Sequence, residues 1–242
     1  MFRIISKGCK GWQTVAGLLN TLHDEATITI KPEGIEFKST DLSHIGLIDF
    51  NWSKENFSLY ECKEEQKIGI GVGEFKLILD RAHDEDIELS HAEASSKIDV
   101  IIGTTKKYDL PLVNTQDTPK INVQYNESNK ISLSEFQNAL EDVKIIDDHI
   151  DLTIDKGILK IVAKGKWTRN NGTTILSDKN ISVKESGMGR FQIDFLLNVI
   201  KNVKSVTKEF NASLGNKKPF KFTFDIKGMG KLDYYIAPIQ DI

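Results

Sequence analysis

Two turns 123 residues apart, ending at Gly34 and Gly157, constrain this chain more than any other feature. Ala26-Thr27-Ile28-Thr29-Ile30 alternates apolar and polar residues. Lys31-Pro32-Glu33-Gly34 follows, and then Ile35-Glu36-Phe37. A period of two broken by a Gly-containing turn predicts a β-hairpin. Ile150-Asp151-Leu152-Thr153-Ile154, the turn Asp155-Lys156-Gly157 and Ile158-Leu159-Lys160-Ile161 repeat that pattern. An internal repeat of this length predicts two copies of one structural plan.

Four helical stripes fall in the same order around the hairpins. They are Trp12/Val15/Leu18/Leu19/Leu22, Phe75/Ile78/Leu79/Ala82, Phe136/Ala139/Leu140/Val143 and Phe195/Leu196/Val199/Ile200/Val203. Each places its apolar residues on one side of a short helix. The second and fourth lie about 121 residues apart. Lys97-Ile98-Asp99-Val100-Ile101-Ile102 in the first half corresponds to Phe220-Lys221-Phe222-Thr223-Phe224-Asp225-Ile226 in the second. Each half then has several antiparallel strands and two helices with one apolar face, and packing both helices on one face of the sheet buries all of it. The expectation is an α+β fold of two repeated domains, residues 1–113 and 129–242. The polar, turn-rich segment 114–128 connects them, with Pro119 and the isolated apolar residues Ile121 and Val123. Two such residues in a connector predict that it lies against a surface.

The 242 residues carry a net charge of −3, and 39% are hydrophobic and 28% charged. That balance is globular, and it is not the basic composition of a conventional DNA-binding module. A protein of this charge that meets DNA segregates its cations or holds DNA by shape. Cys9 and Cys62 form no CxxC, which predicts two reduced thiols and neither a disulfide nor a metal site. No apolar run approaches the roughly 20 residues of a membrane span, so an intracellular chain is expected. Gly69-Ile70-Gly71-Val72-Gly73 precedes a helix, but its spacing is GxGxG and no βαβ unit surrounds it. Gly228-Met229-Gly230-Lys231 lacks the remainder of a phosphate loop, and neither GxSxG nor HExxH occurs. His44 has no second histidine or carboxylate at metal spacing. No catalytic residue, metal or cofactor is expected.

Three stretches carry a family resemblance. Thr40-Asp41-Leu42-Ser43-His44-Ile45-Gly46-Leu47-Ile48 is similar to a "MDSSHVSLV"-type segment. Phe57-Ser58-Leu59-Tyr60-Glu61-Cys62 is similar to an "F-x-x-Y-x-C" strand. Gly230-Lys231-Leu232-Asp233-Tyr234-Tyr235-Ile236-Ala237-Pro238 is similar to a "G-x-L-x-Y-Y-L-A-P" ending. In this order, with the duplicated plan, they resemble the archaeal–eukaryotic PCNA family of DNA sliding clamps across essentially the whole chain.

The resemblance implies a non-enzymatic subunit of a closed, nucleoid-associated ring, most simply a homotrimer. Such a ring encircles duplex DNA without reading its sequence, tethers polymerase, flap endonuclease and ligase through short peptides, and is opened by a clamp loader. The alternative in the same architecture is a subunit of a heterotrimeric or checkpoint-type clamp. The polar helix faces are, from sequence alone, either ordinary solvated surfaces or a weakly basic lining. The resemblance implies the lining, with Lys10, Lys76, Arg81, Lys144, Lys201 and Lys204 meeting phosphates loosely. It places a peptide groove at Thr40, His44, Ile45 and Leu47, with Pro219, Tyr235, Ile236, Ala237 and Pro238. Ile121 and Val123 of the connector close it. Core positions remain the other reading of Ile45, Leu47 and Ile236. Sheet-end strands at Tyr108, Leu110 and Leu112 and at Thr174 and Leu176 are the expected subunit edges. Pro111 removes one ladder donor from the first.

Overall fold

The computed structural model describes residues 1–115, 117–118, 122–125, 128–155, 158–165, 170–177 and 187–239. The turn residues Lys156 and Gly157, and Pro119 and Ile121 of the connector, lie outside the described residues.

The first half contains β1 (Phe2–Ser6), α1 (Lys10–Leu19), β2 (Glu25–Lys31), β3 (Gly34–Thr40), β4 (Gly46–Ser53) and a 3-10 turn (Lys54–Asn56). It continues through β5 (Leu59–Cys62), β6 (Gln66–Gly71), α2 (Val72–Leu79), β7 (Ile87–His91), β8 (Lys97–Ile102) and β9 (Lys106–Val113). The second half contains β10 (Asn129–Ser132), α3 (Leu133–Lys144), β11 (His149–Asp155), β12 (Ile158–Lys164) and β13 (Asn171–Ser177). It closes with β14 (Gly187–Gln192), α4 (Ile193–Val203), β15 (Glu209–Ser213), β16 (Phe220–Ile226) and β17 (Gly230–Ile236). By contacts the chain forms two compact units, 1–42 with 47–119 and 226–232, and 43–46 with 120–225 and 233–242.

The repeat is one of hydrogen-bond pattern. In the first unit β2 pairs antiparallel with β3 and β6, and β7 with β1 and β8. In the second, β11 pairs with β12 and β14, and β15 with β10 and β16. The expected hairpins therefore form with Lys31↔Gly34 and Asp155↔Ile158 as their innermost described pairs.

All four stripes form helices, with Leu22 and Ala82 lying beyond the ends of α1 and α2. α3 opens with a side-chain N-cap: the Ser132 hydroxyl accepts from the backbone N–H of Glu135, three residues on. Each unit centres on an aromatic residue of its first helix. Trp12 is fully buried against Phe37, Trp52, Phe57 and Phe75, with centroids 5.0–6.2 Å away. Its indole N–H donates to Ser6 Oγ at 2.8 Å, which satisfies the one polar atom the ring brings inside. Phe136 meets Phe210, Phe220 and Phe222 at 5.3–6.3 Å. Full burial of one such ring stabilises by roughly 1.5–3 kcal/mol.

The polar faces of β2–β4 carry a charge ladder. Glu36 accepts from Lys31 at 2.6 Å and from Lys38, and Lys38 also reaches Asp49, its cross-strand partner, at 3.6 Å. Burial pushes the Glu36 carboxyl up, but the two lysine bonds outweigh it and hold the group below its ordinary value. Its contribution is complete above an unfolded carboxyl value near 4.3, and is lost as pH falls through the depressed folded value. Glu36→Gln is expected to lower stability at pH 7 by about 1–2 kcal/mol and to flatten the acid limb of the stability curve. Superimposable acid limbs in denaturant titrations would show that the ladder contributes nothing.

Candidate functional site

The six predicted DNA-facing cations divide into two groups. Lys76 on α2 is paired with Asp80 at 2.6 Å, and Lys144 at the end of α3 with Asp194 at the start of α4 at 2.5 Å. Hydrogen bonding to Asp194 raises the pKa of Lys144. Lys10, Arg81, Lys201 and Lys204 are exposed, and among the described residues none of them has a carboxylate within ion-pair distance. Their positions follow from the amphipathic stripe: Val199, Ile200 and Val203 turn inward, so Lys201 and Lys204 turn outward at the helix end. Two other polar residues of α1 behave differently. Thr14 is buried. Gln13 donates its amide to the carbonyls of Leu79 and Ala82, both at 3.0 Å, and so covers the exposed end of α2.

The predicted peptide-binding residues occupy two levels. Ile45, Val123, Pro219, Tyr235, Ala237 and Pro238 are half-buried, and His44 is exposed with φ +54 at the turn between β3 and β4. Leu47, 6% exposed, and Ile236, 0% exposed, are core side chains. Thr40 closes the β3–β4 ladder opposite Leu47. In the second unit the backbone N–H of Ala237 donates to the Ile45 carbonyl at 2.7 Å. Two segments 192 residues apart, both singled out by motif, are therefore joined by one hydrogen bond.

Sequence reasoning missed Tyr125. Its hydroxyl donates to the Pro219 carbonyl at 2.6 Å, and Lys218 Nζ donates to the Gln124 carbonyl at 2.9 Å. Burial, with an added contribution from Tyr235, pushes the Tyr125 hydroxyl well above its ordinary value, so it remains a neutral donor. The available signal was an aromatic ring in an otherwise polar connector.

The two strands expected at subunit edges have different neighbours within the chain. β9 is not terminal: the strand order β6-β9-β8 puts neighbours on both sides, and Leu110 is a core residue. Gly69 of the GxGxG run permits this, because a Cβ there would lie 2.3 Å from the Val113 carbonyl. That glycine serves a close strand approach in place of a phosphate. The β6 ladder covers only Leu112 and Val113, while residues 106–111, including Tyr108, pair with β8. β13 is terminal, paired with β12 alone among the described residues. Thr174 and Leu176 are half-buried there, and Ile175 is 58% exposed.

Among the described residues no three ligating side chains come together to hold a metal, and no helix is long and apolar enough to cross a membrane. A depression of about 290 Å³ bounded by Lys31, Glu36, Asn51 and Trp52, among others, touches none of the predicted peptide-binding residues.

Comparison with known proteins agrees with this arrangement. The sequence model of the proliferating cell nuclear antigen N-terminal domain matches residues 13–149, and that of its C-terminal domain residues 120–239. The chain is 30% identical over 243 residues to a DNA polymerase sliding clamp of Nitrosopumilus maritimus, covering 96% of each chain. It is 25% identical to the one of Cenarchaeum symbiosum, covering 98% of each. The fold matches that of A. fulgidus PCNA, solved with the C-terminal region of FEN-1 bound to it, with a TM-score of 0.87 at 21% identity and 100% coverage of both chains. PCNA from Thermococcus kodakaraensis also gives 0.87, at 20% identity, covering 99% of this chain and 100% of that one. The duplicated α+β plan, the joined motif segments and the matches to both domain models make this chain a member of the proliferating cell nuclear antigen family of DNA polymerase sliding clamps, which are non-enzymatic processivity factors.

Proposed function

We propose that this chain closes into a homotrimeric ring around duplex DNA and holds client enzymes by short peptides docked beside Ile45, Tyr235, Ala237 and Pro238. The Ala237–Ile45 hydrogen bond carries the peptide reading, because it brings the exposed turn and the C-terminal tail onto one surface of the second unit. The half-buried apolar side chains there supply anchoring area, and the neighbouring backbone groups orient a bound segment. Ile45→Asp is expected to weaken a client peptide carrying a glutamine and an aromatic pair by at least about 10-fold, with the mass of the protein unchanged. Wild-type affinity in a fluorescence anisotropy titration would remove Ile45 from the groove.

Ring closure requires head-to-tail pairing of two strand edges. The one-sided β13 and the β8-only stretch of β9 support that reading. DNA inside such a ring needs few, exchangeable phosphate contacts, since enclosure supplies the residence time. Light scattering across a dilution series tests the assembly, with a mass near three times the 27.3 kDa chain expected. Exposed Pro111, on the β9 edge, cannot donate to a neighbouring strand. The second reading is a ring whose neighbour is a different subunit. A monomer that resists concentration would select it.

A further inference from the structure

The half-buried rings of Tyr125 and Tyr235 each lie under a lysine. Lys218 Nζ is 5.8 Å from the Tyr125 centroid, and Lys221 Nζ is 5.2 Å from that of Tyr235. The two cations are not equivalent. Lys221 is paired with Asp233 at 2.9 Å, and Asp233 also accepts from Thr223 at 2.6 Å. Burial works against the Lys221 charge, but the Asp233 bond prevails and raises its pKa. That charge is locally cancelled.

Lys218 uses one of its three donors on the Gln124 carbonyl. Among the described residues no carboxylate lies within ion-pair distance of it or of exposed Lys217. Among the described residues, Lys217 and Lys218 are therefore two uncancelled cations next to Pro219. Pro219 itself accepts from the Tyr125 hydroxyl at 2.6 Å. An ammonium over the face of Tyr125, with donors that no described carboxylate takes up, suits a segment that offers a ring and a carboxylate together.

Building on the peptide-groove reading above, we propose that Lys218, seated over Tyr125, makes this groove selective for client segments carrying an acidic residue next to their aromatic anchor. A carboxylate gains the unused Lys218 donors, while a lysine or arginine at the same place meets like charge. Lys218 is thus a specificity residue, and Tyr125 and Gln124 position it.

The test uses three fluorescent peptides with one shared glutamine and aromatic pair, differing only in a flanking Glu, Gln or Lys. They are titrated by anisotropy into the full-length protein, its Lys218→Gln variant and its Lys218→Arg variant, at low and high salt. The wild type is expected to bind the Glu peptide about two- to fivefold tighter than the Gln peptide, the scale of one partly exposed ion pair. The Lys peptide is expected to bind more weakly by a similar factor. High salt should compress both ratios, Lys218→Gln should bring the Glu/Gln ratio to one, and Lys218→Arg should keep it. Using the ratio removes any loss common to all three peptides. A wild-type ratio of one, or a ratio that survives in Lys218→Gln, overturns the selectivity and leaves the groove intact. If no peptide binds the folded wild type, the groove reading itself falls, and this proposal with it.

Discussion

Ile236→Asp is expected to unfold the second unit, whereas Ile45→Asp leaves it folded. Both positions belong to the predicted peptide groove, but Ile236 is fully buried and Ile45 is half-exposed. Removing the Ile236 side chain costs about 2–5 kcal/mol through lost transfer energy and the cavity left behind. Placing a carboxylate there adds several more kcal/mol unless the site opens to water. A domain holds only about 5–15 kcal/mol in total, so the combined loss removes most or all of it. Half-exposed Ile45 can turn a carboxylate outward at a cost below about 1 kcal/mol. Urea unfolding of both variants, with soluble yield, decides the matter. A wild-type midpoint for Ile236→Asp would mean that its side chain reaches solvent, and would return Ile236 to the groove surface. The consequence for the peptide site is practical: a lost interaction in Ile236→Asp reports folding, and only Ile45 reports docking.

Reversing Lys201 and Lys204 together is expected to weaken duplex binding roughly 10- to 100-fold near 0.1 M salt, and to lower the salt slope by about 0.9 for each phosphate contact removed. These two lysines extend from the end of α4 without a described acidic partner, so their field reaches solvent uncancelled. Both also face the negative end of the helix, and replacing them costs up to about 1 kcal/mol each for that reason alone. Equilibrium binding at several salt concentrations separates the two roles, since a helix-end effect changes the unfolding midpoint but not the salt slope. An unchanged slope and affinity would mean that α4 does not face DNA and would leave these lysines as ordinary solvated residues. Lys144 is a weaker choice for the same experiment, because its charge is answered by Asp194 at 2.5 Å.

Much of this protein is decided along the chain. The period-two runs become β2, β3, β11 and β12, the four apolar stripes become α1 to α4, and Ser132 with Glu135 starts α3. Each of these depends on residues within about one or two turns of each other, so local spacing is enough to specify it. The duplication is legible for the same reason, and the short motifs suffice to suggest the family.

Tertiary structure decided what lies opposite each element. The composition of Lys106–Val113 is that of an edge strand, yet β6 reaches its far end because Gly69 leaves room for the Val113 carbonyl. Thr14 and Gln13 look like solvent-facing residues on a helical wheel. Thr14 is buried, and Gln13 becomes a donor to the carbonyls of Leu79 and Ala82 at the end of α2. Ile45 and Ile236 belong to the same predicted groove, and their different depths separate a docking residue from a core residue. Tyr125 and Lys218 acquire their roles only through carbonyls 94 residues away in the chain. Periodicity sets which way a side chain points from its own strand or helix. What it then meets depends on pairings between distant segments, and those are settled by burial and hydrogen-bond satisfaction across the whole unit.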